Sequence, residues 1–543
     1  MDDKKYDRQL RLWGHNGQKA LAESNILLIN ADATGSETLK NLVLPGVGRF
    51  TIVDDKLVTD DDLGVNFFVS DDYIGRQRAE TVVALLSEMN PDVTGVAINK
   101  AIDSILASSA TFLNSFNLVI ISNQNDSVIL KVSELCRKLK ISLVVTKSYG
   151  LIGYLRIQVT DHDIIESKPE NVSHNLHIFN PFPELAAFCT KFDMTQMDSQ
   201  EHSHTPYVVI LYQCLQEYLT TGNNKPPSNT DEKKAFVNLV KNKSRNFNNE
   251  MNFQEASKEA YKAYTTNSLP EEVIALLDGI DQCPIYISDP NSTSRVRKLD
   301  DFIILVKALK IFIERTNSCP SSGSIPDMTA STNFYIELQS IYQAKSLKDK
   351  EDFTTIVHFL LNSIGRESSE ISSEKIDLFC KNITNLRRIS TRSIAEEISG
   401  PLDQSVVDAF DDPYADSNQT PIIWYIGLRA AEIFYSKYGR YPGLLGGDDA
   451  QFENDKNEVF EIMKGFMTTI ASRNGSLSDS TSISISHAEE ICRYAATEVH
   501  VIAAIIGGVA SQEAVKIISK QYVPINNTFV YNGISCNAAT YEL

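Results

Sequence analysis

Short continuous apolar runs alternate with amphipathic stretches over the first third of the chain. Ile26-Leu27-Leu28-Ile29 has the composition of a strand buried on both faces. Ser36 to Leu44 follows with helical spacing and is stopped by Pro45-Gly46. The rhythm then predicts a strand over Arg49–Asp54, a helix over Ala79–Glu88 ended by Asn90-Pro91, and a strand over Asp92–Ile98. It continues with a strand over Leu118–Ser122, a helix over Val128–Leu139 and a strand over Ile141–Thr146. Alternating positions from Gly153 to Thr160 add one more strand. This βαβ order predicts an α/β, Rossmann-like fold, with a mostly parallel sheet covered by helices on both faces.

From about residue 166 the period changes to that of helices. They are expected over Tyr207–Leu219, Phe302–Glu314, Tyr335–Ala344, Phe353–Leu361, Ile422–Tyr435 and Val459–Thr469. Polar connectors such as Ser318 to Gly323 and Asp411-Asp412-Pro413 separate them, and a serine-rich stretch runs from Ser472 to Ser486. His487 to Ile518, rich in alanine and glycine, reads as one long helix or two, and Asn527–Tyr531 as a late strand. The expected organisation is a Rossmann-like first part (1–165), a large α-helical insertion (166–486) and a segment returning to the first domain (487–543).

A length of 543 residues fits two or three domains. The net charge of −19 leaves no basic excess to neutralise phosphates, which opposes a nucleic-acid partner. The longest apolar run, Val501–Ala510, is about half the length of a membrane span, so no membrane partner is expected. Met1-Asp2-Asp3-Lys4-Lys5 is too polar for a secretory signal, which points to the cytoplasm or nucleus. Eight cysteines (Cys136, Cys189, Cys214, Cys283, Cys319, Cys380, Cys492 and Cys536) include no C-x-x-C pair, so neither a structural zinc site nor a disulfide framework is expected.

The chemistry of the first strand–helix junction is unusual. A nucleotide-binding fold needs G-x-G-x-x-G there, so that backbone N–H groups approach a phosphate closely. This chain has Asn30-Ala31-Asp32-Ala33-Thr34-Gly35, in which only the last glycine survives. Asp32 supplies a carboxylate that can cap the helix and repel an incoming anion. Neither a cofactor-binding set nor a metal set is expected in this chain.

Tyr6-Asp7-Arg8-Gln9, the altered loop, Val53-Asp54-Asp55, Gly64-Val65-Asn66 and Gly75-Arg76-Gln77-Arg78-Ala79-Glu80 occur in an order that resembles the adenylation domain of ubiquitin-like modifier-activating enzymes. The resemblance implies that active members carry a glycine loop, a ribose-binding aspartate, an arginine, a lysine and a magnesium-linked aspartate. Here Val65 stands at the arginine position, Arg78 at the lysine and Gln124 at the magnesium-linked aspartate, while Asp54 remains. An amide is a poor substitute for a carboxylate on Mg²⁺.

Further motifs sharpen the resemblance. Tyr149-Gly150-Leu151-Ile152-Gly153-Tyr154, Ile165-Glu166-Ser167, Pro181 to Leu185, His204-Thr205-Pro206, Ile325 to Met328, Arg392 to Glu397, Gly439 to Gly443 and Glu498 to Lys516 are similar to the regulatory subunits of enzymes that activate Nedd/Rub-type modifiers. That family implies a heterodimer whose catalytic subunit binds ATP and magnesium, adenylates the modifier and captures it on a cysteine. It also implies contact with a conjugating enzyme. By the same resemblance, Arg8 of the Y-x-R-Q segment reaches across the dimer into the partner's ATP site. A fixed guanidinium suits phosphate oxygens where negative charge builds up.

Other residues carry weaker signals. Cys189 and Cys214 sit in apolar settings, His202 and His204 lack metal spacing, and Asp60-Asp61-Asp62 reads as a solvated turn. Glu498-Val499-His500 and Cys492-Arg493-Tyr494 read as packing elements. Alternatives stay open on sequence alone: an NAD(P)-dependent oxidoreductase, an autonomous adenylating enzyme, or a free-standing protein-binding adaptor.

Overall fold

The computed structural model describes residues 4–109, 111–166, 174–221, 225–265, 269–282, 300–400, 404–411, 420–443, 449–474 and 483–543. Ser167, Cys283, Asp412, Pro413 and residues 475–482 of the serine-rich stretch lie outside the described residues. The chain forms two compact units. One comprises Met1–His162 and Arg388–Leu543, the other Asp163–Arg387.

The first unit is built on an eight-stranded sheet. Its strands are β1 (Asn25–Ile29), β2 (Arg49–Val53), β3 (Thr94–Ile98), β4 (Leu118–Ser122), β5 (Ser142–Tyr149), β6 (Ile152–Gln158), β7 (Thr528–Asn532) and β8 (Asn537–Tyr541). The spatial order is 8-7-6-5-4-1-2-3. Five strands, 3-2-1-4-5, run parallel, and β6, β7 and β8 extend the sheet antiparallel. The parallel part has the doubly wound order that places a ligand crevice between β1 and β4. Ile26 to Ile29 and all of β4 are buried, as the unbroken apolar runs require.

Helix α1 (Asp7–Ala22) precedes β1, and α2 (Ala33–Val43) follows it. The latter starts three residues ahead of the expected Ser36, because the Asp32 carboxylate accepts the Gly35 N–H at 2.9 Å and caps the helix early. Gly35 survives for packing reasons, since a Cβ there would lie 2.6 Å from the Asn30 carbonyl oxygen. Helices α3 (Arg78–Met89) and α4 (Asp126–Leu139) complete the crossovers.

The second unit is helical and includes α5 (Tyr207–Thr221), α6 (Asp301–Thr316) and α7 (Thr332–Ser363). Where the periodicity predicts two helices, 335–344 and 353–361, a single 32-residue helix runs through both. The polar interval that masks its continuity contains Asp349, which is buried, pairs with Lys345 and accepts the Ser321 N–H at 2.9 Å. Leu338 and Tyr342 of α7 enter one apolar cluster, and Phe353, Val357 and Leu361 enter another.

The boundary between the units differs from the expected one. Residues 388–486 group with the sheet, so the chain returns to the first unit at 388 and not at 487. Helix α8 (Pro421–Tyr438) buries 12 of its 18 residues and packs with α9 (Asp449–Asn474), α10 (Ile485–Tyr494) and β7. Ion pairs from Arg156 to Glu397 and from Lys147 to Glu432 tie this segment to β6 and β5. Periodicity reports a helix but not the surface it packs on, so this attachment has no signature in the pattern.

The final helix, α11 (His500–Ser519), is apolar and long enough for a membrane span, yet it packs on α1, α2, β5 and β6. A Cβ on Gly507 would lie 2.7 Å from that of Glu37, so glycine permits the close approach of α11 to α2.

Candidate functional site

The crevice outside the carboxyl ends of β1, β2 and β4 holds a cavity of about 300 Å³, with Asn30, Asp54, Lys100, Gln124, Tyr435 and Tyr441 among its walls. This is the switch point at which doubly wound sheets bind ligands. The N-terminus of α2 opens beside it. Asn30 carries the chain out of β1 with φ +74°, a left-handed conformation that asparagine tolerates better than most residues.

The positive end of α2 is filled by the chain itself. One oxygen of Glu498 accepts the Ala33 N–H at 3.0 Å. The other accepts the Thr34 N–H at 3.0 Å, the Thr34 hydroxyl at 2.6 Å and the Asn123 side-chain amide at 2.9 Å. These are the kinds of donor that a phosphate takes at a helix N-terminus. Glu498 thus does more than pack, the role expected from its sequence setting. Burial, and next the charge of Asp32, push its carboxyl up to about 7 against the pull of its hydrogen bonds.

Asp32 lies behind it. Its carboxylate accepts the Ser122 hydroxyl at 2.7 Å, the Asn30 side-chain amide at 2.7 Å and the Gly35 N–H. Burial raises this carboxyl, with Ser122 and then Arg78 opposing the shift. Two acids therefore converge where a nucleotide would place its phosphates.

Arg78, at the lysine position of the resemblance, turns inward. Its guanidinium reaches Asp54 at 2.8 Å, Asp62 at 2.9 Å and the Asn30 carbonyl oxygen of the side chain at 2.5 Å. Burial works against its charge, but Asp54, Asp32 and Asp62 outweigh burial and hold its pKa above the ordinary arginine value. Asp54 also accepts the Ala31 N–H at 2.9 Å and the Lys56 N–H at 3.0 Å. The expected solvated turn 60–62 needs correction at Asp62, which is buried against Arg78, whereas Asp60 and Asp61 are exposed. Gln124 stands between Asn123 and Asn125 beyond the end of β4, offering amides where a magnesium ion would need carboxylates. These residues do not fit ATP with magnesium: the phosphate donors are engaged, two acids oppose the anion, and Asp54 is tied to Arg78.

The other candidates lie outside this constellation. Arg8 is exposed on the first turn of α1 and takes no part in the crevice hydrogen bonds. Cys189, Cys214 and Cys492 are buried, and burial pushes each thiol up to about 12, far from the thiolate a nucleophile needs. His202 is buried, stacks on Phe253 and faces Glu250 with Nδ1 and Oε1 2.6 Å apart. Among the described residues no group of three His, Cys, Asp or Glu side chains is placed to hold a metal ion.

Fold and crevice together define a protein of the ThiF family, whose profile matches residues 6–542. The chain is 35% identical to the NEDD8-activating enzyme E1 regulatory subunit of Gallus gallus, over all of this chain and 98% of that one. It is 38% identical to the NEDD8-activating enzyme E1 regulatory subunit AXR1 of Arabidopsis thaliana, over 99% of this chain and 96% of that one. A relative of the same description from Danio rerio is 36% identical over all of this chain and 98% of its own length. The chain belongs, within the ThiF family, to the family of NEDD8-activating enzyme regulatory subunits.

Proposed function

We propose that this chain is the non-catalytic half of a heterodimeric enzyme that activates a NEDD8-type modifier. Its partner is the catalytic subunit, which holds ATP and magnesium, adenylates the modifier and takes it as a thioester. The present chain completes that subunit, contacts the modifier and the conjugating enzyme, and binds no nucleotide itself. The end-to-end likeness to regulatory subunits carries the reading, and the engaged donors of the crevice support it. The exposed Arg8 contributes in trans, its guanidinium meeting phosphate oxygens in the partner's site.

Reconstitution tests this. The isolated chain gives no modifier-dependent ATP–pyrophosphate exchange, and adding the catalytic subunit produces it. Arg8→Ala leaves the complex intact by gel filtration and slows adenylation by about 10²-fold, the scale for losing one charge-stabilising donor. Exchange by the isolated chain defeats the reading as a whole. Unchanged kinetics in Arg8→Ala removes only that residue from the mechanism.

A further inference from the structure

We propose that Glu498 is an autoinhibitory plug: the chain supplies its carboxyl group to the donors at its own helix end and so withholds them from phosphate. The inference deepens the reading above, resting on a regulatory chain that holds no nucleotide, and names what keeps nucleotide out.

Three observations carry it. First, α2 is already capped from within, because Asp32 takes the Gly35 N–H. Glu498 takes the two N–H groups ahead of it, those of Ala33 and Thr34, which the Asp32 cap leaves without an acceptor. Second, the donor set converges from separate places: the α2 backbone, the Thr34 hydroxyl and Asn123 past the end of β4. A carboxylate in that set accepts four hydrogen bonds and, among the described residues, forms no ion pair. Third, the segment that delivers Glu498 is held in a definite course. Ala495 and Ala496 both have positive φ, +47° and +61°, a left-handed conformation that non-glycine residues seldom adopt. The Gly150 N–H donates to the Thr497 carbonyl at 2.8 Å, and His500 Nδ1 lies 2.9 Å from the Val65 carbonyl.

The same donors serve an oxyanion equally well, so removing the carboxylate leaves a cradle for pyrophosphate. Asp32 remains and limits the affinity, but its hydrogen bonds to Ser122 and Asn30 direct its charge into the sheet end. The groups facing the vacated position are therefore Thr34, Asn123, Asp32 and, behind Asp32, Arg78.

The experiment titrates the full chain, wild type and Glu498→Ala, with inorganic pyrophosphate by calorimetry. The expected result is at least a tenfold gain in affinity for the variant. Equal affinities in a variant with native circular dichroism overturn the plug. A second measurement on the wild type covers a variant that does not fold: the amide resonances of ¹⁵N-labelled Ala33 and Thr34, followed during the same pyrophosphate titration. They should stay in place while Glu498 holds those N–H groups, and saturable shifts of both overturn the proposal. ATP binding by the wild-type chain instead overturns the regulatory reading, so the two failures are distinguishable.

Discussion

Two clusters of buried charge in the sheet unit reach balance in different ways. Beside β5 and β6 every cation has its acid: Arg156 reaches Glu397 at 2.5 Å, Lys147 pairs with Glu432, and Arg429 lies 3.4 Å from Asp126. These groups enclose a cavity of only about 30 Å³, too small for more than a water or two. In the crevice, one guanidinium serves Asp54 and Asp62, while Glu498 meets only N–H and O–H donors and the end of α2. A helix N-terminus carries roughly half an elementary charge and is indifferent to which anion satisfies it. Paired ions fix one partner by position, whereas a helix end accepts any oxyanion of suitable size. The first cluster therefore holds the segment 388–474 on the sheet, and the second is a binding site whose occupant comes from the same chain.

The largest effect is expected where pairing is complete. Glu397→Ala strands the fully buried Arg156 and also removes the acceptor of the Tyr425 hydroxyl at 3.0 Å. Breaking a buried pair in this way costs about 3–5 kcal/mol. Urea unfolding measures the loss, and the double change Arg156→Met with Glu397→Met should recover most of it. A single-variant cost below about 1 kcal/mol would mean that the contrast between the clusters is false.

At the crevice the corresponding effect is smaller and depends on pH. The folded value for Glu498, about 7, lies above its ordinary 4.5. Between these values the folded chain holds a proton that the unfolded chain has released. This contribution to stability is complete below pH 4.5 and disappears as pH rises to about 7, amounting to at most about 3 kcal/mol. Asp32 shifts in the same direction, raised chiefly by its burial. Thermal unfolding of wild type and Glu498→Ala from pH 5 to 8 isolates the effect from other groups. Relative to the variant, the wild type should lose stability as pH rises, and parallel profiles would mean that burial leaves the Glu498 carboxyl unshifted.

Much of this was legible in the residues, for identifiable reasons. The central strands β1 and β4 announce themselves because both of their faces are covered, which makes Ile26–Ile29 and Leu118–Ile121 unbroken apolar runs. The altered loop is equally plain, since Asp32 and Asn30 occupy positions that require glycine for phosphate contact. Glu498 was legible only as an acid ahead of an apolar helix, because its donors lie more than 370 residues away along the chain. Asp62 looked solvated within three consecutive aspartates, since its partner Arg78 enters from the next helix. Continuity of α7 was hidden by a polar interval whose one buried member, Asp349, has its partner in a loop. Local pattern reports what a segment can form, and pairings between distant segments leave no trace in it.

The smallest expected effect concerns Asp32, whose two roles separate in Asp32→Asn. Asparagine caps a helix about as well as aspartate, so the Gly35 N–H keeps an acceptor, as does the Ser122 hydroxyl. The bond from the Asn30 side-chain amide is lost, because that donor would then face another amide N–H. Against this loss, the like charge beside Glu498 disappears. The two changes oppose each other, and the net stability change at pH 7 should be within about 1 kcal/mol. The proton equilibrium responds more than the stability does. With Asp32 neutral, only burial still raises Glu498, so its midpoint, followed through the Ala33 and Thr34 amides, moves down from about 7 toward 4.5. An unmoved midpoint would mean that the two acids do not sense each other and that the crevice, like the β5–β6 cluster, balances each charge separately.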